Sequence, residues 1–159
     1  MKIFSNSPIC KLLIIGASGM LGSTLLNHFS KNKLFKTYGI HRRKGEERIY
    51  PEYVRNNLLF SHNILEDNEI EKFFKLTKPD YVINCIGVVK QISNAYDPLN
   101  VIPINSILPH KLARFCEIYN SKLIQLSTDC VFSGNLGMYN ESNIPDSRDL
   151  YGRSKLLGE

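Results

Sequence analysis

The stretch KLLIIGASGMLG, residues 11–22, decides the fold. Its first half is a continuous apolar run that ends in glycine, as expected of a strand buried on both faces. Apolar residues at helical spacing follow at once, so the chain passes from a strand through glycines into a helix. In such a turn Gly16 permits unusual backbone angles, Gly19 lets a phosphate approach the backbone, and Gly22 lets helix and strand pack closely. The alternative is a loop that needs glycine only to turn.

Strand-like runs and helical patterns alternate along the rest of the chain. We predict strands at residues 11–16, 36–41, 57–63, 81–87 and 122–128. We predict helices at residues 19–32 and 66–78, at about 104–119 with a bend near Pro109, and from Tyr151 onward. This alternation is typical of the α/β class and predicts a doubly wound parallel sheet, a Rossmann fold, as a single domain over residues 1–159.

Composition excludes several classes of protein. The chain has 159 residues, of which 43% are hydrophobic and 22% charged, as in soluble globular domains. No apolar run is long enough to span a membrane or to form the core of a secretory signal. The four cysteines form no Cys-x-x-Cys pair, so we predict neither a metal site nor a disulfide framework. We expect a reduced, cytoplasmic protein without a membrane partner, in which Cys85 and Cys130 are buried thiols.

The positive charge is concentrated after the second predicted strand. Residues 31–48 hold seven basic and two acidic side chains, and this excess equals the formal charge of +5 of the whole chain. An NAD-selective turn is followed about 20 residues later by an acid, but residues 34–45 contain none. Arginine instead grips a 2′-phosphate with paired hydrogen bonds. We therefore predict NADP(H), bound by Arg42 and Arg43, and treat Glu46 and Glu47 as surface charges. A nucleic-acid patch is less economical, because no aromatic interleaving accompanies the charge.

The end of the chain, DLYGRSKLLGE, carries the most reactive pattern. Tyr151 and Lys155 are four residues apart and share one face of a helix. A free tyrosine has a pKa near ~10, so it needs a nearby cation to exchange protons at neutral pH. Ser127 and Thr128 end the fifth predicted strand, at the edge where parallel sheets bind ligands, and a hydroxyl there can orient a carbonyl. A solvated helix pair and a Ser-Thr that only satisfies backbone groups are the alternatives.

Five motifs taken together carry a family resemblance. GASGMLG, NCIG, STDCVFSG, MYNES and DLYGRSKLLGE occur in the order found in the extended short-chain dehydrogenase/reductase superfamily, and they resemble its dTDP-4-dehydrorhamnose reductase-like branch from about residue 11 to the end. The resemblance implies an NADPH-dependent reductase of a nucleotide-linked 4-keto-6-deoxy sugar, active in polysaccharide biosynthesis. It implies that Thr128, Tyr151 and Lys155 are catalytic, that Tyr151 protonates the 4-keto oxygen, and that Lys155 also holds the nicotinamide ribose.

The same resemblance implies the cofactor contacts. Besides Tyr151 and Lys155 these are Gly16, Ser18, Gly19, Met20, Leu21 and Gly22 in the first turn, Arg42 and Arg43 after the second strand, Asn63 and Ile64 at the adenine, Cys85, Ile86 and Gly87 along the cofactor, and Asn105 on the next helix.

The sequence departs from this branch where the sugar binds. Cys130 stands where tyrosine is usual, Ser133 stands where an acid is usual, and the Thr-x-Val-Asp segment after the fourth strand is missing. A related 4-keto-sugar reductase of polysaccharide assembly therefore fits equally well. An epimerase or dehydratase of the superfamily shares the motifs. Those enzymes usually retain NAD, however, and the pair Arg42 and Arg43 favours NADP. A non-catalytic, NADP-binding regulatory subunit is the alternative from another class.

In the family, the catalytic helix is followed by a sixth strand and a smaller domain that binds the sugar nucleotide. Residues 1–159 contain neither, so we expect this chain to be the incomplete, cofactor-binding half of a reductase. Such a half binds NADPH but does not turn over alone, because it cannot orient the sugar. Exposed apolar surface would favour association, for example as a homodimer.

Overall fold

The computed structural model describes residues 9–90 and 95–159. Five strands form one parallel sheet in the order β3-β2-β1-β4-β5. They are β1 Cys10–Ile15, β2 Phe35–His41, β3 Leu58–Phe60, β4 Tyr81–Asn84 and β5 Lys122–Gln125. Because β1 pairs with both β2 and β4, the chain winds outward to both sides of β1 and leaves a crevice at the carboxyl ends of these strands.

Helices cover both faces of the sheet. Within the described ranges they are α1 Met20–Ser30, α2 Glu52–Arg55, α3 Asp67–Thr77, α4 Pro98–Ile102, α5 Leu108–Ile118 and α6 Leu150–Leu156. A π-helical turn at Pro103–Ile107 joins α4 to α5, and 3-10 turns lie at Glu46–Ile49 and Asp129–Val131. The predicted doubly wound α/β fold is confirmed.

The core has two halves, one on each face of the sheet. Leu13 and Ile15 pack with the residues of α3 and α5, whereas Ile14 packs on the opposite face with Leu26 of α1. Alternate side chains of a strand point to opposite faces, so a strand covered on both sides must be apolar at every position. This is the physical reason for the continuous run in β1.

Three predicted strands are longer than the observed ones. Residues 81–87 were predicted as one strand, but β4 ends at Asn84. Residues 57–63 were predicted as one strand, but β3 ends at Phe60, and the next residue, Ser61, donates its hydroxyl to Glu69 of α3 at 3.0 Å. Residues 122–128 were also predicted as one strand, but β5 ends at Gln125 and Thr128 caps the following 3-10 turn. In all three places the chain leaves the ladder earlier than predicted, at the carboxyl end of the strand.

The predicted helix at about 104–119 differs at its start. The helical path begins at Pro98, and its irregularity is the π turn at Pro103–Ile107 and not a bend near Pro109. Pro109 lies in the first turn of α5, where a missing N–H is tolerated. None of the helices in the described part of the chain is long and apolar enough to cross a membrane.

Candidate active site

The residues predicted to bind the cofactor follow the carboxyl ends of the strands. Gly16 follows β1, Arg42 follows β2, Asn63 lies shortly after β3, and Cys85 follows β4. The predicted catalytic Thr128 lies three residues after β5. Because all five strands are parallel, these segments share one edge of the sheet. Residues spread over more than 100 positions of sequence are thus brought to the crevice where α/β sheets bind ligands.

The glycine turn has the shape of an anion cradle. Gly16 has φ +87°, and a Cβ on Gly22 would lie 2.1 Å from the Gly16 carbonyl oxygen, so both positions require glycine. A Cβ on Gly19 would meet only that same oxygen, at 3.4 Å, and would otherwise point into open space. Gly19 precedes α1 without a side-chain cap, and the first turn of α1 holds no acid. Its N–H groups and partial positive charge therefore suit a pyrophosphate.

The flanks of this turn are exposed, as a ligand-binding edge requires. Ser18 and Leu21 are exposed, and Met20 is 89% exposed. The turn is also tied to β2, because the backbone N–H groups of Gly16 and Ala17 both donate to a single carbonyl at the end of that strand, 3.1 and 2.8 Å away. The glycine turn and the predicted 2′-phosphate residues are therefore held side by side.

A buried histidine fixes the loop that carries the arginines. His41 is 2% exposed, with its Nδ1 3.0 Å from the Arg43 carbonyl oxygen and its Nε2 3.5 Å from the Glu47 carboxylate. Glu47 is therefore not simply a surface charge, because it folds back on the end of β2. Arg42 and Arg43 are both exposed at this edge, where they suit a phosphate group.

The segment after β4 lies against the glycine turn. A Cβ on Gly16 would lie 2.8 Å from Ile86 Cγ1 and 3.2 Å from the Ile86 backbone nitrogen. Gly87 is exposed beside it. Cys85 is half-buried, and its burial raises the pKa of the thiol to about 11. The predicted contacts of Cys85, Ile86 and Gly87 thus lie next to the predicted pyrophosphate site, and the Cys85 thiol is kept protonated.

Asn63 and Ile64 lie in the turn that starts α3. The side-chain Oδ1 of Asn63 accepts from Leu65 N at 3.1 Å, and its Nδ2 donates to the Glu66 carboxylate at 3.1 Å. Asn63 is exposed and Ile64 is half-buried. Their place after β3 is as predicted, and an adenine contact stays a prediction.

Asn105 has a structural task that the sequence did not indicate. It is 1% exposed in the π turn, where its Oδ1 accepts from Val88 N at 2.8 Å and its Nδ2 donates to the Val88 carbonyl at 3.0 Å. The same Nδ2 is 3.1 Å from the Ser154 hydroxyl on α6. These bonds join the loop after β4 to the helix of Tyr151, and a contact between Asn105 and a cofactor stays a prediction.

The three predicted catalytic residues converge around α6. The Thr128 hydroxyl accepts from Cys130 N at 3.2 Å, which shapes the turn after β5. A Cβ on Gly152 would lie 2.1 Å from the Cys130 carbonyl oxygen, so the first turn of α6 packs directly on that turn. Tyr151 is half-buried there. Lys155 is buried and its ammonium donates to the Leu126 carbonyl, and burial lowers its pKa, an effect that nearby Glu159 opposes.

An open cleft of about 760 Å³ lies beside these residues. Its walls include Lys90, Cys130, Ser133, Tyr139 and Asp149. The expectation of buried thiols at Cys85 and Cys130 was wrong, because both are half-buried and Cys130 lines the cleft. No group of three or more His, Cys, Asp or Glu in the described ranges could hold a metal ion.

Ser133 binds a carboxylate at the position where the branch that this sequence resembles usually has an acid. Its backbone N–H donates to Asp146 Oδ1 at 2.7 Å, and its hydroxyl donates to Asp146 Oδ2 at 2.6 Å. These two bonds hold the pKa of Asp146 below its usual value. Asp146, 13 residues later in the chain, thus holds a carboxylate against Ser133, which lines the cleft.

Two residues that line the cleft, Lys90 and Asp149, were not predicted from the sequence. Asp149 is the N-cap of α6, and its Oδ1 accepts from Gly152 N at 2.9 Å. Asp is a preferred N-cap residue, so its position just before the predicted helix could have indicated this role. No local pattern marked Lys90, whose importance depends on a contact across 59 positions of sequence.

Residues 10–159 match the model of a protein family, the RmlD substrate binding domain. The chain belongs to this family. The predicted resemblance to the dTDP-4-dehydrorhamnose reductase-like branch is thereby confirmed. The residues that the RmlD family matches form the parallel sheet and the candidate site described above.

Known proteins similar to this RmlD-family chain include a subunit and two reductases. Methionine adenosyltransferase 2 subunit beta of Bos taurus is 31% identical over 97% of this chain and 43% of its own length. A hypothetical dTDP-4-dehydrorhamnose reductase of Sulfolobus tokodaii is 26% identical, with a TM-score of 0.77 over 93% of this chain and 50% of its own. The dTDP-4-dehydrorhamnose reductase of Bacillus anthracis, solved in complex with NADP, is 22% identical to this chain. Its TM-score of 0.76, over 97% of this chain and 49% of its own length, shows that the two share a fold. The chain thus spans about half the length of the relatives it matches.

Proposed function

We propose that this chain is the cofactor-binding part of an NADPH-dependent reductase of a nucleotide-linked 4-keto-6-deoxy sugar. The observation that carries the proposal is the convergence of a glycine anion cradle, an exposed arginine pair and the Thr128–Tyr151–Lys155 set on one edge of a parallel sheet. The sugar nucleotide as substrate, a cytoplasmic location and a homodimer belong to the same proposal.

The residues present suit NADPH. The uncapped first turn of α1 favours the pyrophosphate, and Arg42 and Arg43 beside it favour a 2′-phosphate over the bare ribose of NAD. Gly87 and the Ile86 backbone lie along the next strand end and would border the cofactor. When bound, NADPH supplies a hydride to the keto carbon of the sugar.

The chain's own side chains donate the proton and orient the carbonyl group of the sugar. Tyr151 donates its phenol proton to the carbonyl oxygen, which becomes the hydroxyl of the product alcohol. Thr128, which follows β5 and caps the turn that packs on the first turn of α6, holds that oxygen by a hydrogen bond. Lys155 places a positive charge on the same helical face as Tyr151, which stabilises the phenolate left after transfer.

The test uses the protein as its own cell produces it, because its relatives are about twice as long as this chain. Its intact mass should be measured first, and the same material assayed for NADPH oxidation with a nucleotide 4-keto sugar. We expect one NADPH consumed per sugar reduced, and loss of turnover in Tyr151→Phe with NADPH affinity retained. Sugar conversion without net NADPH consumption would instead identify an epimerase or dehydratase.

The similarity to a protein named as an enzyme subunit favours a second candidate, a non-catalytic NADP-binding regulatory subunit. Tyr151→Phe separates the two candidates as well. If the biological effect of the protein survives this change while Gly19→Ala abolishes it together with NADPH binding, cofactor binding and not catalysis is its task.

A further inference from the structure

Lys90 connects the loop after β4 to the helix of Tyr151. Its ammonium nitrogen is 2.9 Å from Asp149 Oδ2 and 5.6 Å from the centre of the Tyr151 ring. One cation thus contacts both the residue that caps α6 and the aromatic face of the tyrosine that follows it. This is the geometry of a cation–π contact reinforced by an ion pair.

The partners of Lys90 are themselves fixed. Asp149 uses its second carboxylate oxygen to cap α6, 2.9 Å from Gly152 N. Val88, two residues before Lys90, is buried and held at both its N–H and its carbonyl by Asn105. The loop and the helix are therefore anchored independently of Lys90, so its ammonium group spans two defined points.

We propose that Lys90 is a positioning residue for Tyr151: it holds the phenol ring from one face and ties the loop after β4 to the cap of α6. A tyrosine attached near the start of a short helix can rotate about its side-chain bonds, and proton transfer needs one orientation. The catalytic consequence of this inference rests on the proposed reductase function. The contact between Lys90 and the Tyr151 ring does not depend on that function.

The contact can be tested without any assay of activity. Protons on the lysine carbon next to the ammonium group move upfield in NMR spectra when they lie over an aromatic face. Several lysines lie over aromatic rings, so we expect several such signals in the lysine-labelled protein. One of them should be lost in Lys90→Met and return to the usual lysine position in Tyr151→Leu, whereas the signal of Lys72 should not change in either variant. A Lys90 signal at the usual position in the unmodified protein, unchanged by Tyr151→Leu, would overturn the proposal whether or not the protein is a reductase.

The catalytic consequence is tested by a pair of substitutions and a matched control. Lys90→Met should lower kcat about tenfold or more, with the KM for sugar and the Kd for NADPH within about twofold, and Lys90→Arg should recover most of the rate. Lys72→Met is the control, since Lys72 is likewise 3.0 Å from an acid, Glu69, and 5.1 Å from the centre of an aromatic ring, that of Phe73, but lies on α3. It should leave kcat unchanged.

The remaining outcomes are distinguishable. A raised KM with unchanged kcat in Lys90→Met would mean that Lys90 binds the substrate, and would overturn the positioning role. Equal loss of rate in Lys72→Met would mean a general effect on the fold, and would also overturn it. If the unmodified protein reduces no sugar, the proposed function fails, and the NMR contact alone decides whether Lys90 holds Tyr151.

Discussion

The side-chain amide of Asn105 lies 3.1 Å from the hydroxyl of Ser154, and this contact joins the π turn to the helix of Tyr151. The Ser154 hydroxyl in turn donates to the Tyr151 carbonyl at 2.8 Å, and Ser106 donates to the Ser154 carbonyl at 2.8 Å. Two adjacent residues of the π turn therefore reach the same residue of α6. A π turn widens the helix locally, and such turns are frequent at functional sites.

Asn105→Ala should destabilise the protein by about 2–3 kcal/mol, because it leaves the buried N–H and carbonyl of Val88 without their partner. Urea unfolding of the two proteins measures this difference in the free energy of unfolding. Asn56→Ala, at an exposed asparagine, is the control and should stay within about 0.5 kcal/mol of the unmodified chain. A similarly small effect of Asn105→Ala would contradict the structural role assigned to its amide.

Gly22→Ala and Gly19→Ala should differ sharply. The new Cβ at Gly22 would lie 2.1 Å from a backbone oxygen, so this variant should lose about 3 kcal/mol or fail to fold. The new Cβ at Gly19 has room, and that variant should fold with a loss below about 1 kcal/mol. Fluorescence titration should nevertheless show weaker NADPH binding by Gly19→Ala. Unchanged NADPH affinity in this variant would argue against the pyrophosphate site.

Arg42→Ala should weaken NADPH binding about 10- to 100-fold and leave NADH binding unchanged, because only NADPH carries the 2′-phosphate. Isothermal titration of both cofactors measures the two affinities. Lys36→Ala, in the same basic stretch but on β2, is the matched control and should alter neither. Equal losses for both cofactors in Arg42→Ala would show that the arginine supports the loop and does not select the cofactor.

Asp149 should make stability depend on pH. The Gly152 N–H first, and then Lys90, hold the pKa of this carboxylate below its ordinary value in the folded protein. A depressed pKa contributes stability that is present above the ordinary carboxylate pKa, near ~3.9, and is lost as pH falls through the folded value. At neutral pH, Asp149→Ala should cost about 1 kcal/mol through loss of the cap.

Thermal unfolding of the unmodified protein and Asp149→Ala between about pH 7 and pH 3 tests this sign. The difference in stability should shrink as the pH falls, since the acid form of Asp149 caps α6 poorly and does not pair with Lys90. Asp149→Asn keeps a capping oxygen and should lose less than Asp149→Ala at neutral pH. A difference that grows toward low pH would contradict the assignment.

Local patterns predicted the fold well for a definite reason. The run in β1 and the glycines after it are each required by short-range physics, namely burial on two faces, a positive φ at Gly16 and the close approach at Gly22. The four-residue spacing of Tyr151 and Lys155 likewise fixes a shared helical face. Strand ends were predicted less well, because the ends of β3, β4 and β5 depend on their pairing with neighbouring strands, which a local pattern does not show.

The sequence by itself therefore determined the α/β class, the glycine turn after β1, the basic end of β2 and the Tyr-Lys pair. Only the tertiary structure decided that Asn105 is a buried bridge, that Asp146 returns a carboxylate to Ser133, and that Lys90 lies over Tyr151. The first set follows from periodicity and from residues a few positions apart. The second set depends on side chains that meet across 13 to 61 positions of sequence, which only the packing of the sheet and its helices brings together.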